Sequence, residues 1–214
     1  MREVASPPLR TSKSALAKAP NGKQRVIEAA ERLFAARGFS GVSAAEIVKE
    51  AGVAHGLLFH HFGSMDDLYA EVSRIAAARM DDTQLLSFRG RTARDQILSF
   101  MRTHMRAVKQ REGDAVFRAR DLDARVSNKV VQIWEMSRQR AIDRLFQAMG
   151  VQVPTKKMRV CLRAWIGFHD QLVLGWLADR SLSEVEVLRW TMDQLDHLAA
   201  TILGVDLDLE PPLP

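Results

Sequence analysis

Three imidazoles stand close together in the first third of the chain: His55, His60 and His61, in the run Ala54-His55-Gly56-Leu57-Leu58-Phe59-His60-His61-Phe62. Histidines can ligate a metal, shuttle protons or meet phosphate. Metal ligation fits poorly, because helical ligand pairs favour i, i+4, whereas these are five apart and adjacent. Contact with an anionic surface fits better, since imidazoles gain charge on acidification. Two further histidines, His104 and His169, lie within otherwise apolar helical stripes. An imidazole buried there needs a hydrogen-bond partner or a ligand. Phe100 shares the stripe of His104, Trp165 shares that of His169, Trp134 lies on a third stripe, and Phe117 lies in the segment between. A cavity walled by aromatics with one or two polar anchors is a usual small-molecule site, so Phe100, His104, Phe117, Trp134, Trp165 and His169 are its candidate lining. Each stripe is also what a plain core would show.

Catalytic constellations are missing. The chain has no nucleophile elbow, phosphate-binding glycine loop or His-Glu-x-x-His pair. Asp66-Asp67 and Asp81-Asp82 are adjacent, so their carboxylates diverge around a helix. The reading is a non-enzyme with neither metal nor cofactor. The single cysteine, Cys161, excludes an internal disulfide and suits a reducing cytoplasm. The most apolar stretch, 165–177, is broken by His169, Asp170 and Gln171. No membrane span is expected.

The elements that must position these residues are helical almost throughout, giving an all-α fold of about nine helices. Val26, Ala29, Ala30, Leu33 and Phe34 follow the helical period, and Gly38 stops it. Ser43 with Glu46, Ser64 with Asp67 and Ser183 with Glu186 mark helix starts. Further helices are expected over 92–109, 114–121, 125–149, 156–179 and 184–203. The organisation read from this is a flexible basic arm (1–22), a helix-turn-helix unit (23–64), a ligand-binding and dimerisation domain (65–204) and a frayed tail (205–214).

Formal net charge is +5 in 214 residues. Arg2, Arg10, Lys13, Lys18, Lys23 and Arg25 against Glu3 carry the whole excess within the first 25 residues. A basic arm of this kind can lie along nucleic-acid phosphates. Beyond it, the Ser43-capped helix, the turn at Gly52 and a second short helix form a helix-turn-helix, whose second helix can enter the major groove of DNA.

Residues 23–68 resemble the DNA-binding headpiece of TetR-family transcriptional regulators. The resemblance rests on Ile27-Glu28-Ala29-Ala30, Leu33-Phe34, Arg37-Gly38-Phe39, Ser43, Ile47, Ala51-Gly52-Val53, Gly56, Leu58-Phe59-His60-His61-Phe62 and Leu68. It implies a cytoplasmic homodimeric repressor of a palindromic operator, released by a small apolar or aromatic effector. Its DNA-facing residues would be Lys23, Ser43, Ala54, His55, Gly56, Leu57, Phe59, His60 and His61. The helices at 156–179 and 184–203 would pair with those of a second copy. Leu174, Leu177, Val187, Leu188, Met192, Leu195, Leu198 and Ile202 would face that partner.

Several phosphate-gripping positions depart from the family pattern. Phe59 stands for a usual tyrosine, Met65 for a lysine, His55 for a lysine and Leu57 for a threonine. Either the arm replaces these contacts, or DNA binding is weak and the chain is a helical adaptor for a partner protein.

Overall fold

The computed structural model describes residues 21–110, 127–178 and 181–210. Among them are eight α-helices and no strand. The first three form a headpiece: α1 (Gly22–Arg37), α2 (Ala44–Ala51) and α3 (His55–Phe62). The body holds α4 (Met65–Leu85), α5 (Ala93–Gln110), α6 (Asn128–Ala148), α7 (Lys156–Ala178) and α8 (Glu184–Leu198), followed by a π-helical turn at Ala199–Leu203. The expected helix over 114–121, and with it Phe117, lies outside the described residues. So does the arm up to residue 20.

Local chemistry sets the helix ends. The Ser43 hydroxyl accepts from the Glu46 N–H, and the Glu46 carboxylate accepts from the Ser43 N–H at 2.9 Å. Ser183 and Glu186 repeat this box at α8. The Ser64 hydroxyl accepts from the Asp67 N–H at 3.0 Å and starts α4. Each such cap stabilises its helix by about 0.5–2 kcal/mol. A further cap lies outside the sequence expectation: the Asn21 side chain accepts from the Gln24 N–H at 2.9 Å. Helix α1 therefore begins at Gly22, inside the segment read as arm. The turn after α2 requires a left-handed residue, supplied by Gly52 at φ 62° and ψ 42°.

Two apolar cores result. Val26, Phe34, Ile47, Leu58, Leu68 and Tyr69 fill the first. The Phe34 and Tyr69 rings meet edge-on at 5.0 Å. Val130 and Trp134, from α6 of the body, belong to this same core. The headpiece is thus packed into the body through α4 and α6 rather than hung from a linker at residue 64. The second core joins α5, the C-terminal half of α6, α7 and α8, with Ile97, Met105, Leu145, Leu162, Val173 and Leu195 at its centre.

Two expectations need correction. Residues 205–210 are not frayed. Leu207 is only 2% exposed. The carbonyl oxygens of Leu207 and Leu209 accept from the N–H groups of Arg94 (2.8 Å) and Ala93 (3.2 Å), at the start of α5. Those donors lack partners within their own helix, and the turn at 207–209 of the tail supplies acceptors. Arg94 then clamps the arrangement, donating to Asp208 at 2.6 Å and to Asp196 of α8 at 2.8 Å. The second correction concerns the partner-facing residues. Val187, Leu188, Met192 and Leu195 are buried in the chain's own core. The broad apolar arc of α8 is consumed by packing on α5, α7 and the π turn. Apolar side chains left exposed instead include Val160 and Phe168 on α7 and Val185 on α8. None of the described helices is long and apolar enough to cross a membrane.

Candidate nucleic-acid interface and effector cavity

Helix α3 is short, and Leu58 alone is buried. Leu58 inserts between α1 and α2, which aims the opposite face outward. His55, Gly56, Phe59, His60 and His61 are all exposed, Phe59 at 40%. The His55 ring sits 5.4 Å from that of Phe59, and His60 is 5.2 Å from His61. Gly56 has no neighbour within 4 Å of where a Cβ would stand, so its surface is open for close approach. Helix α3 contains no Lys, Arg, Asp or Glu.

The remaining candidates for DNA contact divide. Ala54 caps α3 from an exposed position. Leu57 is half-buried, its Cδ2 only 2.5 Å from where a Cβ on Gly22 would stand. It fixes α3 against the start of α1. The Ser43 hydroxyl is occupied, donating to Glu46 at 2.7 Å. Lys23 lies over the Phe62 ring at 5.7 Å, close to the end of α3.

Headpiece cations are heavily committed to neighbouring carboxylates. Arg32 pairs with Glu50 at 2.8 Å, Arg37 with Glu46 at 2.7 Å, and Arg79 of α4 with Glu31. The Ser43 hydroxyl and Arg37 together hold the Glu46 carboxyl down to a pKa of about 2. Arg25, which sequence reasoning counts with the arm, reaches the Gly52 carbonyl at 3.4 Å.

Behind the headpiece, four of the six proposed lining residues meet at one cavity of about 50 Å³: Phe100, His104, Trp134 and His169. Met80, Met101, Ala141 and Ile166 add apolar wall, and Gln84, Ser137, Arg138 and Asp170 add polar groups. Trp165 is elsewhere. It is 2% exposed and donates its indole N–H to the Thr191 carbonyl at 2.8 Å, as a core residue of α7.

The two histidines are joined. His104 Nδ1 is 3.3 Å from His169 Nε2, and His169 Nδ1 is 3.0 Å from the Thr191 hydroxyl. That hydroxyl donates to the Val187 carbonyl at 2.7 Å, so it accepts from His169. The proton of His169 therefore sits on Nδ1, and its Nε2 accepts from His104. Burial, and then the charge of His104, push the His169 pKa well below its ordinary value.

Arg138 donates to Asp170 at 3.0 Å beside this pair. Neither residue is a candidate from sequence, since a charged residue on a long helix usually reads as solvated. Asp170 is in fact 4% exposed. Helix α6 forms one wall of the cavity and also grips α4. The Ser137 hydroxyl (2.7 Å) and the Arg140 Nε (2.7 Å) both donate to the Asp81 carboxylate, and Arg144 donates to the Asp81 carbonyl at 3.0 Å.

The exposed short helix set on a glycine turn is matched in sequence. A family profile, "Bacterial regulatory proteins, tetR family", fits residues 26–72, the segment that builds α1 to α3 and the start of α4. Residues 26–72 are a DNA-binding segment of the TetR-family type. The HTH-type transcriptional repressor AcnR of Corynebacterium glutamicum is 29% identical over 175 residues, covering 78% of this chain and 90% of that protein. The HTH-type transcriptional regulator AcrR of Shigella flexneri is 33% identical over 63 residues, covering 29% of each. A tetR-family regulator from Streptomyces coelicolor shares the fold over 86% of this chain and 84% of its own, with a TM-score of 0.73 at 23% identity. The chain is a DNA-binding transcriptional regulator, and its curated relatives are regulators rather than enzymes. The adaptor alternative is not favoured.

Proposed function

We propose that this protein is a cytoplasmic homodimeric repressor that reads a palindromic operator with α3 and lets go when a small molecule enters the cavity. The observation that carries the reading is the position of Trp134. Its ring belongs to the headpiece core and also lines the cavity. Any molecule that displaces this ring disturbs the packing that aims α3.

His55, Gly56, Phe59, His60 and His61 present imidazole and aromatic groups to the major groove, and Lys23 and the arm present cations to phosphate. Two α3 helices in a dimer would fall about one helical turn apart, ~34–36 Å. The exposed run Val160, Ala164 and Phe168 on α7, with Val185 on α8, supplies apolar surface for that dimer. The test is a gel shift and footprint on the DNA upstream of the protein's own gene. A two-fold symmetric footprint with half-sites one turn apart is expected. No shift at low salt would overturn DNA recognition and point to the protein-binding adaptor.

A further inference from the structure

Two polar atoms of cavity residues have no hydrogen-bond partner among the described residues: Gln84 Oε1, an acceptor, and Trp134 Nε1, a donor. Gln84 is 6% exposed and Trp134 9%. Buried polar groups are nearly always satisfied, and an exception marks a missing water, ion or ligand. Both side chains line the cavity, and a small head group that donates at one atom and accepts at another would satisfy both once it shifts them enough to uncover these atoms.

The charge of the wall narrows the class. Arg138 and Asp170 pair at 3.0 Å. The two opposite charges offset one another, so this part of the wall carries no net charge to favour an ionic ligand. His169, locked between His104 and Thr191, stays neutral and offers no charge of its own. The size narrows it further. An apolar cavity that holds benzene is roughly 150 Å³, and a single water needs about 10–15 Å³. The present 50 Å³ suits a head group of a few non-hydrogen atoms.

Resting on the effector reading above, we propose that the cavity recognises a neutral head group carrying both a donor and an acceptor, of the primary-amide or alcohol class. The head group donates to Gln84 Oε1 and accepts from the Trp134 N–H. It replaces the partners that these two side chains otherwise lack.

The test uses the full chain with ¹⁵N-labelled indoles, of which there are four. Acetamide, acetate and acetone are titrated separately, and the Trp134 indole resonance is assigned from W134F. Acetamide should shift that resonance saturably, with a Kd at least threefold lower than either other probe. Q84L should raise the acetamide Kd at least threefold and leave the acetone Kd unchanged. If Q84L fails to fold, the wild-type ranking decides alone. Tightest binding of acetate, equal binding of all three, or a Trp134 resonance unmoved by any of them, as for a cavity that holds only water, would overturn the proposal. The gel shift of upstream DNA is scored without probes. DNA binding with no acetamide response sinks the ligand class alone, whereas absent DNA binding sinks the regulator reading whatever the probes do.

Discussion

His104 donates through Nδ1 to His169 Nε2 across 3.3 Å, and the direction of that bond is dictated two residues away, by a Thr191 hydroxyl already spent on the Val187 carbonyl. The relay can accept no extra proton at His169 without breaking one of its bonds. The folded chain therefore holds His169 well below its usual pKa of 6.5, while the unfolded chain does not. Below about pH 6.5 the unfolded state binds more protons, so this contribution is complete above that pH and is lost as pH falls. We expect stability in denaturant titrations to decline from pH 7 to pH 5, by up to ~1.4 kcal/mol per pH unit from this one group. H169Q should show a shallower decline over the same range. Identical slopes in the two proteins would remove His169 as the cause.

Asp81 is the point where α6 holds α4. D81A deletes the acceptor shared by Ser137 and Arg140 and leaves a buried hydroxyl without its partner. Arg140 is nearly half exposed, so the charge contributes less than in a fully buried pair. The expected loss is about 2–3 kcal/mol, against about 1 kcal/mol for S137A. Thermal unfolding of both variants measures this, and equal midpoints would show that the carboxylate is not the pin.

Phe59 sits exposed on α3 without a hydroxyl. F59Y adds a phosphate donor at no cost in packing. Operator affinity should rise about tenfold, the equivalent of ~1.5 kcal/mol for one charge-assisted bond. Fluorescence anisotropy on upstream DNA reads this directly. An unchanged Kd would mean that position 59 does not face the backbone.

Residues 1–20 carry Arg2, Arg10, Lys13 and Lys18 but not the Asn21 cap of α1. Removing them should leave the headpiece folded and weaken DNA binding. For every phosphate that the arm neutralises, the truncation should lower the slope of log K against log salt by ~0.9. A truncated protein with the full slope would show that the grip lies entirely in the headpiece.

What the sequence makes legible follows from how local each signal is. Ser43 with Glu46 and Ser183 with Glu186 lie three residues apart, and both boxes form as expected. Asn21 with Gln24 has the same spacing, but it is embedded in a charge run that reads as arm. The stripes carrying Phe100, His104, Trp134 and His169 are visible as faces. Which side of a face meets a cavity depends on helix packing, and Trp165, on the same face of α7 as His169, goes to the core. Arg138 and Asp170 cannot be found by pattern, because a buried Asp170 is tolerated through a partner that lies on another helix. The tail offers alternation of Val205, Leu207 and Leu209 with aspartates, an extended pattern whose partner lies more than a hundred residues earlier.

That distance matters for how the chain is made. Arg94 and Asp208 are 114 positions apart, and the first two N–H groups of α5 find their acceptors in the carbonyls of 209 and 207. The headpiece core has all its residues once Trp134 has been made, whereas the body has an open seam until residue 209 has been synthesised. Its last closing step is a long-range one, the kind that folds slowly. Nascent chains halted before that point would expose the seam to proteases and chaperones while already displaying an intact α3.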